Sequence, residues 1–88
     1  MVKNMKKKSS IDEIVQEIIS IVAKRLRINK EKISPDLPLY LLEIDSIKMV
    51  EIVYEIEIKY YLGYLNIEHL SKKNSIYDIA RRIEIINN

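Results

Sequence analysis

The sequence predicts an all-α fold, a small bundle of three main helices plus one short helix, with a long loop between helices one and two. Two observations support this prediction. Apolar residues recur at three- and four-residue steps in three separate segments, and a loop containing both prolines divides the first segment from the second. At 88 residues the chain has the length of one domain. We expect residues 9–88 to form the bundle and residues 1–8 to be a disordered, lysine-rich tail.

The first helix is predicted over Ile11–Leu26. Ser10 and Glu13 have the spacing of a capping box, in which each side chain satisfies the backbone N–H of the other residue. Apolar residues then recur at helical steps, and charged or polar residues occupy most positions between them. The predicted buried positions are Ile11, Ile14, Val15, Ile18, Val22 and Leu26.

Between Arg27 and Ile44 no helical period is sustained. Pro35 and Pro38 lie in this stretch, and each lacks a backbone donor and restricts the residue before it. A loop of roughly 18 residues is longer than most, which favours a functional role. Several apolar residues are expected to fasten the loop to the core: Ile28, Ile33, Leu37, Leu39, Leu41 and Leu42.

The second helix is predicted from Asp45 to about Tyr61. Residues 55–60 alternate as a strand would, but the chain offers no partner strand for them. Polar residues at helical steps form one stripe, in which Glu51 and Glu55 are a like-charge pair and Glu55 and Lys59 have a favourable spacing. The expected buried face contains Met49, Ile52, Val53, Ile56 and Tyr60. A second apolar stripe, Ile47, Val50 and Tyr54, is either covered as well or exposed for docking, and spacing alone favours burial.

Gly63, the only glycine, is expected at or just after the end of this helix. A short helical turn is predicted over residues 66–70, where His69 is interpreted as a surface residue without a ligand role. The last helix is expected to begin after Asn74 or Ser75, since Ser75 and Asp78 have a capping-box-like spacing. Its predicted buried stripe is Ile76, Ile79, Ala80, Ile83 and Ile86.

The net charge of +2 conceals an uneven distribution of charge. Residues 1–8 hold four lysines and no acid, so the other 80 residues carry 11 basic and 13 acidic side chains. Residues 36–57 contain six acids and one base, a local charge of −5. Nucleic-acid binding would need basic residues clustered on a folded face, so we expect no nucleic-acid partner. No apolar run approaches the length of a membrane span, and a cytoplasmic monomer is the default expectation.

The dipeptide Asp45-Ser46 stands where the long loop meets the second helix. Its simplest interpretation is structural, because Asp and Ser are common N-caps. A hydroxyl at a helix N-terminus also faces unpaired N–H groups, which favour a phosphate there. The sequence shows no cysteine and no histidine near Ser46, so neither thiolate catalysis nor a histidine base is indicated. A serine modified by another enzyme therefore fits better than a catalytic serine.

This region resembles the acyl carrier protein family, the phosphopantetheine-dependent carriers. The resemblance rests on Asp45-Ser46-Ile47 followed by Val50-Glu51-Ile52, on the Asp-Leu-Pro-Leu segment of the loop, and on Asn74-Ser75-Ile76. It implies that Ser46 receives a 4′-phosphopantetheine arm from coenzyme A, attached by a phosphopantetheinyl transferase. It also implies that Asp45 assists the transferase by holding its magnesium ion. Acyl groups would then be carried as thioesters on the arm, and the protein would not itself be an enzyme.

The resemblance shifts the interpretation of the second stripe from burial to docking. It implies that the stripe and the carboxylates beside it meet basic patches on acyl-loading and acyl-using synthase enzymes. The implied docking residues are Ile47, Val50, Glu51, Tyr54 and Glu55.

The sequence departs from the family pattern at two positions near the serine. Glu43 replaces the usual glycine two residues before the aspartate, and Lys48 replaces an acid common in fatty-acid carriers. These departures favour a dedicated lipid or polyketide-type pathway over housekeeping fatty-acid synthesis. Two alternatives stay open: an aminoacyl or peptidyl carrier of nonribosomal-type synthesis, which Lys48 favours, and a helical interaction module in which Asp45-Ser46 is only a cap.

Overall fold

The computed structural model describes residues 10–60 and 72–87. Over these ranges the chain forms three α-helices, α1 (Ile11–Leu26), α2 (Ser46–Tyr60) and α3 (Ile76–Asn87). α1 contacts both other helices and so forms the centre of the bundle. The predicted bundle of three main helices is confirmed. The lysine-rich tail, Gly63 and the short turn predicted over residues 66–70 lie outside the described residues.

Both ends of α1 are closed by local hydrogen bonds. The Ser10 hydroxyl accepts from Glu13 N at 3.2 Å while Glu13 Oε1 accepts from Ser10 N at 2.9 Å, which confirms the predicted capping box. At the other end Arg27 adopts a left-handed conformation, and the N–H of Ile28 donates to the Ala23 carbonyl at 3.1 Å. This Schellman-type closure ends the helix where the apolar period ends.

The core is built largely from isoleucine side chains of all three helices. α2 turns its predicted face inward, and Tyr60 packs partly buried at the edge of the core. Burial raises the pKa of Tyr60 to about 12, with a smaller contribution from the Glu17 and Glu13 carboxylates. The fully buried large side chains are Ile14, Ile18, Leu39, Ile44, Ile52, Ile56, Ile76, Ile79, Ile83, Val22 and Val53.

One predicted core position of α3 is wrong. Ile76, Ile79, Ala80 and Ile83 are buried, but Ile86 is exposed. The apolar period of α3 therefore runs one turn beyond the last buried layer.

Among the described helices, none is long and apolar enough to cross a lipid bilayer.

The long loop contains two short 3-10 turns, Lys30–Lys32 and Leu39–Leu42. Leu39 is buried and Leu42 is half-buried, whereas Leu41 is exposed. A 3-10 turn repeats every three residues, so residues i and i+3 face the core and the residues between them face solvent. Leu37 is also exposed, so Leu37 and Leu41 do not fasten the loop as predicted.

Backbone hydrogen bonds hold the loop against the start of α3 instead. Leu39 N donates to the Asn74 carbonyl at 2.9 Å, and Tyr40 N donates to the Lys72 carbonyl at 2.9 Å. Tyr77 N donates to the Pro35 carbonyl at 3.0 Å. The last helix begins with the predicted capping box, since Ser75 and Asp78 exchange hydrogen bonds of 3.0 and 3.1 Å. These contacts place the end of the loop, and therefore the start of α2, beside the start of α3.

Candidate functional site

Asp45 is the residue that caps α2. Its carboxylate oxygen Oδ1 accepts a hydrogen bond of 2.7 Å from the backbone N–H of Lys48, and its carbonyl accepts the first helical bond from Met49 N at 2.9 Å. The sequence left open whether Asp45 or Ser46 is the cap, and the geometry assigns this role to Asp45.

Ser46 is the first residue of α2, and it is exposed. Because the aspartate performs the capping, the serine hydroxyl is not used to close the helix. The hydroxyl lies at the positive end of the helix dipole, where a phosphate group is stabilised by about 0.3–1 kcal/mol per charge. The buried side chain of Ile44, just before the cap, anchors this end of the loop in the core. The structure therefore presents an accessible hydroxyl on a fixed backbone.

An open groove with a volume of about 590 Å³ begins at Ser46. Its other lining residues are Tyr40, Met49, Val50, Lys72 and Lys73. The groove thus lies between the second 3-10 turn, α2 and the segment before α3. The hydrogen bond from Tyr40 N to the Lys72 carbonyl joins two of these walls. Most of the lining surface is apolar, which suits the neutral portion of a ligand.

Glu43 ends the 3-10 turn before the serine in a left-handed conformation, with φ 57° and ψ 45°. This is the position where the resembling family has glycine. The turn geometry is thus retained without glycine, at a conformational cost of about 1 kcal/mol because the Cβ crowds the following carbonyl. The backbone N–H of Glu43 donates to the Tyr40 carbonyl at 3.0 Å, which helps to hold this conformation.

Replacing Glu43 by glycine is expected to stabilise the domain by about 0.5–1 kcal/mol, since glycine adopts the left-handed region without the Cβ penalty. Thermal or urea unfolding would measure this gain. Glu84→Gly is the matched control within α3, where the same substitution is expected to destabilise the domain by up to about 1 kcal/mol. A loss of stability in Glu43→Gly would mean that the Glu43 side chain makes a stabilising contact that outweighs its backbone strain.

The second apolar stripe of α2 is exposed. Ile47 is 71% exposed, Val50 is 52% exposed and Tyr54 is 62% exposed. Spacing alone had favoured burial of these residues, and that interpretation is wrong. The reason lies in the packing of the helices. α1 covers only one side of α2, and the stripe lies on a neighbouring side that no described element covers.

The carboxylates of Glu51 and Glu55, beside this stripe, are bound by cations of the same chain. Arg25 Nε on α1 lies 2.9 Å from Glu55 Oε1, and Arg25 Nη1 lies 3.4 Å from Glu51 Oε1. Lys48 Nζ approaches the same Glu51 oxygen at 3.8 Å. Lys59, which has a favourable spacing from Glu55, pairs instead with Glu17 of α1 at 3.5 Å. The polar stripe of α2 is therefore balanced largely from α1.

Sequence reasoning missed three parts of this site. The sequence gives no local signal for the role of Arg25, since its partners lie 26 and 30 residues away. Tyr40 and the two lysines before α3 were not assigned to the site either. A backbone bridge between Pro38 and Ser75 holds the loop close to residues 72–75. This contact brings Tyr40, Lys72 and Lys73 near Ser46.

The geometry defines a helical domain that presents an exposed serine at the start of its second helix. A family model described as a phosphopantetheine attachment site matches residues 16–83. The chain belongs to this family, whose domain is the site of covalent 4′-phosphopantetheine attachment and which is consistent with acyl carrier proteins. Comparison with curated proteins and with solved structures gives no significant match.

Proposed function

We propose that the protein is a discrete acyl carrier protein whose 4′-phosphopantetheine arm is attached to Ser46. The observation that carries this proposal is the exposed serine hydroxyl at the first residue of α2, which Asp45 leaves free by performing the capping. The domain carries thioesters and does not itself catalyse their chemistry. Its partners are a phosphopantetheinyl transferase and the synthase enzymes that load and use the acyl group, in fatty-acid synthesis or in a dedicated lipid or polyketide-type pathway.

The residues around Ser46 fit the arm. The phosphodiester of the arm would lie next to the helix N-terminus, at the part of the groove that Ser46 lines. Beyond the phosphate, Tyr40, Met49 and Val50 offer apolar surface to the neutral part of the arm. When bound, the arm supplies a terminal thiol that holds the acyl group as a thioester. The chain itself contains no cysteine, so this thiol is not duplicated by the protein.

Asp45 has two roles in this proposal. One carboxylate oxygen caps α2, as the 2.7 Å bond to Lys48 N shows. The exposed carboxylate would also assist the transferase by helping to hold its magnesium ion. Both roles require the carboxylate to stay at the N-terminus of α2, so one residue can perform both.

The proposed docking surface on α2 comprises Ile47, Val50, Glu51, Tyr54 and Glu55. Support comes from the exposure of three large apolar side chains on one side of a helix that begins at the modified serine. Glu51 and Glu55 lie beside them and would meet basic residues of the partner enzymes. The surface therefore combines apolar contact area with negative groups close to the reacting residue.

Loading of the apo protein tests the proposal. The chain is incubated with coenzyme A, magnesium and a broad-specificity phosphopantetheinyl transferase, and its intact mass is measured. We expect the mass to rise by one phosphopantetheine group, and one thiol to become titratable because the chain has none of its own. A folded protein that gains no mass would be a helical interaction module instead.

Truncation of Tyr54 is expected to weaken docking without affecting the reacting groups. Tyr54 lies eight residues after Ser46, about 12 Å along the helix at 1.5 Å per residue. We expect Tyr54→Ala to raise the KM of the transferase for the apo protein about fivefold with little change in kcat, since exposed tyrosines often anchor interfaces. Tyr77→Ala on α3 is the matched control and should leave KM unchanged. Equal effects of the two variants would argue against a docking surface on α2.

An aminoacyl or peptidyl carrier is the second candidate, favoured by Lys48 two residues after the serine. The attachment chemistry is the same in both cases, so loading by the transferase does not separate them. Intact-mass analysis of the thioester that the protein carries in its native cell separates them directly. A fatty or polyketide-type acyl mass supports the first proposal, and an amino-acid mass supports the second.

A further inference from the structure

Arg25 of α1 lies between the two carboxylates of the proposed docking surface. Its Nε donates to Glu55 Oε1 at 2.9 Å, and its Nη1 donates to Glu51 Oε1 at 3.4 Å. The side chains of Arg25, Glu51 and Glu55 are 37%, 40% and 29% exposed, so solvent and a binding partner can reach the cluster. A basic residue of a partner would therefore meet carboxylates that already have a guanidinium partner.

We propose that Arg25 is a built-in competitor of the partner enzymes' basic residues, which weakens docking on α2 by holding Glu51 and Glu55. This inference rests on the proposed function, because it concerns the docking of a carrier to its partners. A carrier has to leave each enzyme after its arm has been used. A competitor inside the carrier lowers the affinity of every basic partner and thereby favours exchange between them.

The geometry explains why an arginine occupies this position. Glu51 and Glu55 are one helical turn apart, and as neighbouring like charges they repel each other. The planar guanidinium carries donors that point in different directions, so one arginine can bridge both carboxylates. A lysine ammonium is a compact charge without such a fixed fork, and Lys48 Nζ contacts Glu51 only at 3.8 Å.

The net charge of the cluster determines how strongly it attracts a basic partner. Arg25 and Lys48 balance Glu51 and Glu55, so the cluster attracts a basic partner weakly. Without Arg25 the cluster would carry one net negative charge, and electrostatic attraction of a basic partner would increase. This attraction is screened by salt, whereas the apolar contacts of the stripe are not.

The test uses the full chain in its apo form and a phosphopantetheinyl transferase whose loading of the wild-type chain slows as salt increases, which identifies it as a basic partner. The kcat/KM for loading is measured at about 20 mM and at about 300 mM salt, which shortens the Debye length from roughly 20 Å to roughly 6 Å. We expect Arg25→Met to raise kcat/KM about threefold at low salt, within the range of surface ion pairs, and to lose this gain at high salt. Arg25→Lys should give a smaller gain.

Two controls isolate the cluster from general charge effects. Lys59→Met removes the same charge from the other ion pair between α1 and α2, the 3.5 Å contact with Glu17, and should give no gain. In a Glu51→Gln/Glu55→Gln background, Arg25→Met should change nothing, because no carboxylates remain to be released. Thermal unfolding of each variant checks that the bundle is intact.

The outcomes are separable. A lower or unchanged kcat/KM in Arg25→Met at low salt overturns the inference, and a lower value would mean that Arg25 orients the carboxylates for the partner. An equal gain in Lys59→Met overturns it as well, since net charge alone would then account for the effect. If the wild-type chain gains no phosphopantetheine mass, the proposed function fails and the inference fails with it.

Discussion

Ser46→Ala is expected to abolish phosphopantetheine loading while leaving the helical bundle intact. The substitution removes the only atom to which the arm is proposed to be attached, so no mass should be gained at any transferase concentration. The structure also predicts a small effect on folding, because Asp45 caps α2 and alanine is a good helix former. We expect the free energy of unfolding to change by less than about 0.5 kcal/mol.

Intact mass and circular dichroism, measured on the same sample, check both halves of this prediction. Ser34→Ala is the matched control, since Ser34 is an exposed serine of the loop before α2 and should leave loading unchanged. Asp45→Ala provides the contrast, because loss of the cap should cost about 1 kcal/mol and also slow loading. If Ser46→Ala unfolded the domain, the serine would be structural. If it still gained the arm, the attachment would lie at another residue.

Truncation of Ile18 is the change with the largest expected effect on stability. Ile18 lies on α1, the helix that contacts both of the others, and its side chain is 0% exposed. Ile18→Ala should cost about 2–5 kcal/mol, from the lost burial and from the cavity that remains. A domain of 88 residues has a total stability of about 4–13 kcal/mol. The variant should therefore lose a substantial part of this stability, and its unfolding midpoint should fall strongly.

Ile85→Ala is the control with the same change in chemistry. Ile85 lies on α3 and is 70% exposed, so its truncation creates no cavity. We expect the unfolding midpoint of Ile85→Ala to match the wild type and that of Ile18→Ala to fall strongly. Similar midpoints for the two variants would contradict the assignment of Ile18 to the centre of the core.

Local patterns in the sequence were sufficient to predict the helices. The Ser10–Glu13 and Ser75–Asp78 capping boxes stand within four residues, so their formation depends on short-range geometry. The boundaries of α1 follow from the capping box and the apolar period, and the structure confirms them as Ile11–Leu26. The helical interpretation of residues 55–60 was also right, because an isolated strand would leave its backbone groups unpaired.

Sequence patterns were less informative about which apolar residues are covered. Periodicity identifies a face of a helix but does not show how far a neighbouring element extends over it. Ile86 continues the period of α3 and is nevertheless exposed, and Leu41 in the loop is exposed because a 3-10 turn faces it outward. The stripe of Ile47, Val50 and Tyr54 was assigned to docking only through the family resemblance, and its exposure now supports that proposal.

The sequence by itself determined the three main helices, the capping boxes of the first and last of them, and the serine at the start of the second. These features depend on residues within one or two turns of each other, and local backbone chemistry decides them. Only the tertiary structure decided that Arg25 binds Glu51 and Glu55 and that Lys72 and Lys73 share a groove with Ser46. Each of these contacts joins residues 26 or more positions apart, and only the packing of the helices and the loop brings such residues together.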